Sequence, residues 1–275
     1  MATQKGAIMK RTVCVILTLI VLLNAFSASV FAKETENEKL DRVYAEVLCG
    51  NITNIEDVLD VAVEQMEMME GSDAATYASR AASDDSSLQI TQLVDSSKDE
   101  AGNIEATVAV TGLLLLDENG RSVSADEYRE YRMNKTNQEG DLSEYQIYAT
   151  HTIYVKVRDH SPNMGGTSSL ELDHMKVTLI YGSSISATKL RQRYFEQSDY
   201  VDLDTVLDEQ AWIYNPSAGT YRYDPPNASE VRLGFTAVQG TAEIYCGSDM
   251  MTIGTVLPTD FLQDKIDNGI LAEGW

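Results

Sequence analysis

The chain has 275 residues, 43% of them hydrophobic, and its 43 Asp and Glu against 21 Lys and Arg give a formal net charge of −22 at pH 7. That length and apolar content support one large or two small domains around a real core and exclude a disordered chain. The acidic excess excludes nucleic acid and anionic membrane surfaces as partners, because both repel a chain of this sign.

Lys5, Lys10 and Arg11 precede an uncharged run from Thr12 to Ala32, most apolar between Val13 and Leu23, and Val30-Phe31-Ala32 places small or aliphatic residues where a signal peptidase reads. The pattern predicts a secretory signal peptide over residues 1–32, cut before Lys33, and therefore a secreted, extracellular protein with no membrane partner after cleavage. The uncharged run is also just long enough to span a bilayer, so an uncleaved anchor is the competing reading. Cleavage takes away three basic residues and no acidic one, leaving 18 basic and 43 acidic residues and a charge of −25. Two cysteines remain, Cys49 and Cys246. In an oxidising compartment they predict a disulfide tying the first helix to the last sheet, worth roughly 4 to 5 kcal/mol on the chain-entropy account. Two buried thiols are the alternative.

Residues 33–71 read as a helical hairpin. Leu40, Val43, Tyr44, Val47 and Leu48 fall at helical spacing before Gly50, and Thr53 with Glu56 forms a capping-box pattern ahead of Ile55, Val58, Leu59, Ala62, Met66 and Met69. Residues 72–87 are small and polar and read as a linker. A β-sandwich domain is expected over 88–275, packed with the hairpin. Leu88, Ile90 and Val94 mark one strand and Ile104 to Leu116 a second, joined through the polar stretch from Asp95 to Asn103; Asp117-Glu118-Asn119-Gly120 follows as a turn. Ala125 to Asp141 is a charged excursion, with Ser124 and Glu127 placed to cap a short helix bearing Tyr128 and Tyr131.

The chain is organised around Ser143 to Asp159, where odd positions from Tyr145 to Val157 alternate with polar or aromatic even positions from Gln146 to Arg158. Period two predicts a strand with one buried face, long enough to bend or to serve two sheets. After an expected loop over His160 to His174, Met175, Val177, Leu179 and Tyr181 alternate again. Ile185 to Tyr194 comes next, with Lys189, Arg191 and Arg193 facing solvent. Trp212 to Tyr223 reads as a hairpin that sets Trp212 against Tyr223 and Tyr214 against Tyr221 on one side. Val231 to Val238, a Gln239-Gly240 turn, Ala242 to Cys246, Thr252 to Leu257 and a short helix capped by Thr259 complete the chain. Strands with short turns after helices, without βαβ alternation, predict a mainly β (α+β) fold: an antiparallel β-sandwich with an N-terminal helical hairpin.

No nucleophile elbow, zincin motif, phosphate-cradling loop or dinucleotide fingerprint is present. Two candidate sites stand out. Trp212, Tyr214, Tyr221 and Tyr223 would make a flat aromatic face able to stack on sugar rings; the same face could equally be half of the sandwich core. Asp159-His160 and Asp173-His174 would meet at the mouth of the connecting loop if their strands pair, and two imidazoles with two carboxylates suit zinc or another divalent ion. Ordinary loop chemistry explains the same pairs. The expectation is thus a non-catalytic extracellular module that needs no cofactor and binds a protein or a glycan. A secreted hydrolase, metal-assisted through the two Asp-His pairs, is the alternative.

Overall fold

The computed structural model describes residues 34–70, 87–135, 145–159, 168–180, 186–198, 207–228, 230–232, 236–257, 262 and 265–266. Residues 1–32, expected as a signal peptide, nearly all of 72–87, expected as a linker, His160, Thr259 and Phe261 lie outside them. Residues up to Asp41 belong to one unit and those from Arg42 onwards to a second; the sheets described below are in the second.

Two helices come first, α1 (Glu36–Cys49) and α2 (Ile55–Glu70). The Thr35 hydroxyl accepts from the Glu38 N–H at 3.3 Å while the Glu38 carboxylate accepts from the Thr35 N–H at 2.9 Å, a reciprocal cap on α1. Gly50 stops α1 in the left-handed conformation at φ +67°. The cap of α2 falls one residue later than the Thr53-Glu56 pattern predicts. Asn54 Oδ1 accepts from the Asp57 N–H at 3.4 Å, and Thr53 is drawn instead to the Glu46 carboxylate.

The rest is mostly antiparallel β. The first sheet is built from β1 (Leu88–Lys98), β2 (Ile104–Leu116), β4 (Gln146–Asp159), β5 (Ser169–Leu179) and β8 (Gly219–Tyr223), in that spatial order. The short strands β3 (Ser122–Val123) and β9 (Val231–Arg232) pair with β2 and β5. The Asp117 carboxylate accepts from the backbone N–H groups of Asn119 and Arg121, which closes the turn between β2 and β3. Ser124 and Glu127 then cap α3 (Ala125–Lys135) reciprocally, as their spacing predicts. The second sheet runs β11 (Asp249–Val256), β10 (Thr236–Cys246), β6 (Lys189–Ser198), β7 (Leu207–Tyr214).

The two sheets bury their facing sides against each other. Val108, Val110, Ile153, Val155 and Met175 of the first meet Tyr194 and Val238 of the second, and Leu114, Val177 and Leu179 meet Leu190, Ala242, Ile244 and Ile253. Leu262 and Ile266 pack on the first of these clusters.

The long strand β4 stays in one sheet, between β2 and β5, and takes its bends from register shifts opposite Leu114/Leu115 and at Tyr154/Val155. Its even face is buried too, where alternation predicts solvent: Thr150 and Thr152 are buried, and Thr152 is hydrogen-bonded to Thr111 at 2.9 Å. The end of α1 covers that side. Lys176 Nζ donates to the Leu48 carbonyl, and Gly50 stands against Thr178.

The edges β1 and β11 are tied off by side chains. The Gln65 carboxamide accepts from the Thr91 N–H at 2.7 Å and donates to its carbonyl at 3.0 Å, pairing with β1 as another strand would. Gln89 and Ser87 accept from the Val256 and Gly254 N–H groups, bridging one sheet edge to the other.

Gln239-Gly240 is not a turn. β10 runs unbroken through it, and the hairpin to β11 turns at Gly247, φ +68°. Gly240 is needed for space: a Cβ there would stand 2.6 Å from both His151 Cε1 and Ile153 Cγ2. Gly112, opposite His151 in the first sheet, likewise faces Ile253 and Thr255. The two glycines make room for a wholly buried pair in which His151 Nδ1 and Thr255 Oγ1 lie 2.8 Å apart. Burial alone pushes the His151 imidazole down to about 3, so it is neutral in the folded protein.

Candidate functional site

The segment expected as one aromatic hairpin is split between the sheets. β7 pairs with β6 and β8 pairs with β5, so Asn215 to Ala218 carries the chain from the second sheet to the first. Asn215 adopts φ +49°, and the Tyr221 hydroxyl pins the corner by accepting from the Ser217 N–H at 2.7 Å and donating to its carbonyl. Tyr221 and Tyr223 therefore turn inward and pack against the core. Trp212 and Tyr214 turn outward, 40% and 66% exposed, with near-parallel rings whose centroids are 6.4 Å apart.

These two rings belong to the outer face of the second sheet. Residues directly opposite in an antiparallel ladder share a face. The register thus places Arg191 and Glu243 in a row with Trp212, and Lys189 and Tyr245 in a row with Tyr214. The Arg191 guanidinium lies 5.0 Å over the Trp212 ring and also grips the Glu243 carboxylate through Nε, at 2.6 Å, and Nη2. Tyr245 donates to Glu243 at 2.6 Å, and its ring centroid is 6.0 Å from that of Trp212. Burial pushes the Glu243 carboxyl up, but the hydrogen bonds from Arg191 and Tyr245 and the charges of Arg191 and Arg193 outweigh it and hold the group below the ordinary glutamate range. The face therefore offers two exposed rings, a fixed ion pair and polar side chains such as Gln210, whose Oε1 lies 3.4 Å from Arg191 Nη1.

Sequence reasoning found Trp212 and Tyr214 and set Lys189, Arg191 and Arg193 facing solvent. It missed Glu243 and Tyr245 as their neighbours. The signal was the pair of alternations Lys-x-Arg-x-Arg and Trp-x-Tyr; what it lacked was the pairing that puts β10 on the far side of β6.

The Asp-His pairs are placed differently from the expected loop mouth. β5 begins at Ser169, so Asp173 and His174 sit within a strand, at the bulge opposite Tyr154. Asp159 is five residues further along β4, about 16 Å away at the usual rise per residue. His160 lies outside the described residues, and among the described residues no cluster of three or more His, Cys, Asp or Glu is placed to hold a metal ion. Asp159 is buried and accepts from Ser168 at 3.0 Å. Asp173 accepts from His174 Nδ1 and from Lys156, each at 2.6 Å, and His174 stacks on Tyr154 with centroids 4.1 Å apart. Burial lowers the His174 imidazole more than Asp173 raises it.

The expected disulfide is absent: Cys49 and Cys246 are both free thiols. Cys49 ends α1 on the helix-covered side of the first sheet, beside Lys176 and Tyr154. Cys246 faces the space between the sheets, its Sγ 3.8 Å from the Tyr148 hydroxyl. The first sheet stands between the two sulfurs, too far apart for a bond that needs Cα atoms within about 7 Å.

No family model, no curated protein and no solved structure matches this chain.

Proposed function

We propose that this protein is exported by its N-terminal segment and works outside the cell as a non-catalytic binding module, with a saccharide as the ligand of the outer face of its second sheet. The observation that carries this reading is the exposed pair Trp212 and Tyr214, held beside the Arg191–Glu243 ion pair. Aromatic rings offer the apolar faces of pyranoses a large, rigid surface with little entropy to lose, and the neighbouring charged and amide groups can meet sugar hydroxyls at the rim. Core packing does not account for these two rings, since both are exposed.

A glycan array probed with the purified protein tests the reading. Binding of at least one saccharide class that falls about tenfold or more in Trp212→Ala or Tyr214→Ala, with melting temperatures unchanged, supports it. Absence of glycan binding, or binding indifferent to both substitutions, overturns it.

A further inference from the structure

The charge on this face runs against the charge of the molecule. In a chain with 43 acidic and 21 basic residues, the described side chains of the face carry three cations, Lys189, Arg191 and Arg193, against the single carboxylate of Glu243. Elsewhere several arginines are matched to carboxylates: Arg42 to Glu46 and Asp57, Arg121 to Asp117 and Glu127, Arg158 to Glu105 and Glu171, Arg222 to Asp224. Lys189 differs. It is exposed, it stands between Tyr214 on one neighbouring strand and Tyr245 on the other, and among the described residues it has no hydrogen-bond or ion-pair partner.

We propose that the ligand is an acidic saccharide, a glycan containing uronic acid, whose ring lies on Tyr214 and Trp212 and whose carboxylate pairs with the Lys189 ammonium. This rests on the saccharide-binding reading above and narrows it. Arg191 is committed to Glu243 through two donors, and Arg193 also reaches that carboxylate at 3.7 Å, so Lys189 is the cation left for the ligand. One free ammonium matches one carboxylate per sugar. The cations among the described side chains of this face also draw an anionic chain towards it.

Calorimetric titration of the purified protein with tetragalacturonic acid, with its fully methyl-esterified form and with a neutral tetrasaccharide tests the proposal. The acid is expected to bind about tenfold more tightly than the ester, the worth of one charge-assisted contact, and the advantage shrinks as NaCl is raised. Lys189→Met should remove the preference for acid over ester, while Trp212→Ala should weaken acid and ester alike. Equal affinity for acid and ester, or a preference that survives Lys189→Met, overturns the proposal while leaving saccharide binding in place. If none of the saccharides binds, both the proposal and the reading beneath it fall.

Discussion

Gly240 distinguishes the fold described here from the one its sequence suggests. As part of a Gln239-Gly240 turn an added methyl group would cost at most the strain of a positive φ; as the inward position of β10 it should clash. The strand is held on both sides, Gly240 opposite Tyr194 of β6 and Thr255 of β11, so the backbone cannot retreat. An added Cβ would lie 2.6 Å from His151 Cε1, 2.6 Å from Ile153 Cγ2 and 3.1 Å from Met175 Sδ. The methionine can swing aside, but the imidazole is anchored to Thr255 and the isoleucine belongs to the β4 core. Relieving two contacts that are each about 1 Å too short puts Gly240→Ala near the upper end of overpacking costs, about 2 to 3 kcal/mol. Urea denaturation followed by far-UV circular dichroism measures this as a lowered midpoint at unchanged slope. Gly247→Ala is the internal comparison. Nothing lies within 4 Å of its missing Cβ, and only the positive φ is strained, for about 1 kcal/mol. A Gly240→Ala loss no larger than that of Gly247→Ala would refute the packed position in β10.

Buried neutral His151 makes the protein acid-sensitive. Its imidazole protonates near 6.5 in the unfolded chain but only near 3 when folded, so the unfolded state binds the extra proton and stability falls as pH drops through that window. At about 1.4 kcal/mol per pH unit, pH 5 costs about 2 kcal/mol relative to pH 7, and the difference in urea midpoints between wild type and His151→Gln should shrink by that amount. Arg191→Ala leaves Glu243 buried without its main partner and should cost about 3 kcal/mol, part of which Glu243→Ala in the same chain gives back; additive losses would show that the pair is not coupled. In denaturant without reductant, a chain cut before Lys33 should titrate two thiols, and in the native state exposed Cys49 should react faster than half-buried Cys246; no titratable thiol would mean that the bridge forms after all. Gln65→Ala removes both hydrogen bonds from the Thr91 backbone and should cost about 1 to 2 kcal/mol, with faster amide exchange at Thr91; an unchanged exchange rate would show that the edge is protected by other groups.

How far the sequence could be read follows from what period and composition encode. Period-two patterns located the strands, and Ser124-Glu127 marked a helix start, because both are local. Pairing is not local. Trp212, Tyr214, Tyr221 and Tyr223 have the same alternation whether the chain folds back on itself or crosses to the other sheet, and only the corner at Asn215, fastened by Tyr221, decides. Glycine is ambiguous in the same way: Gly240 reads as a turn but provides space, while the conformation of the actual turn is provided by Gly247. The even face of β4 looked solvated because Thr150 and Thr152 are polar; they are buried because the end of α1 lies over them and Thr152 satisfies its hydroxyl with Thr111. Asp173 and His174 read as the end of a loop, yet they occupy a bulge within β5.

The outer face of the second sheet is where the ligand is expected to bind. Amide hydrogen exchange of the protein with and without saturating tetragalacturonic acid addresses it directly. Slowed exchange confined to Lys189–Arg193, Gln210–Tyr214 and Glu243–Tyr245 is the predicted result. Protection centred instead on Asp173 and His174, or none at saturation, would contradict it.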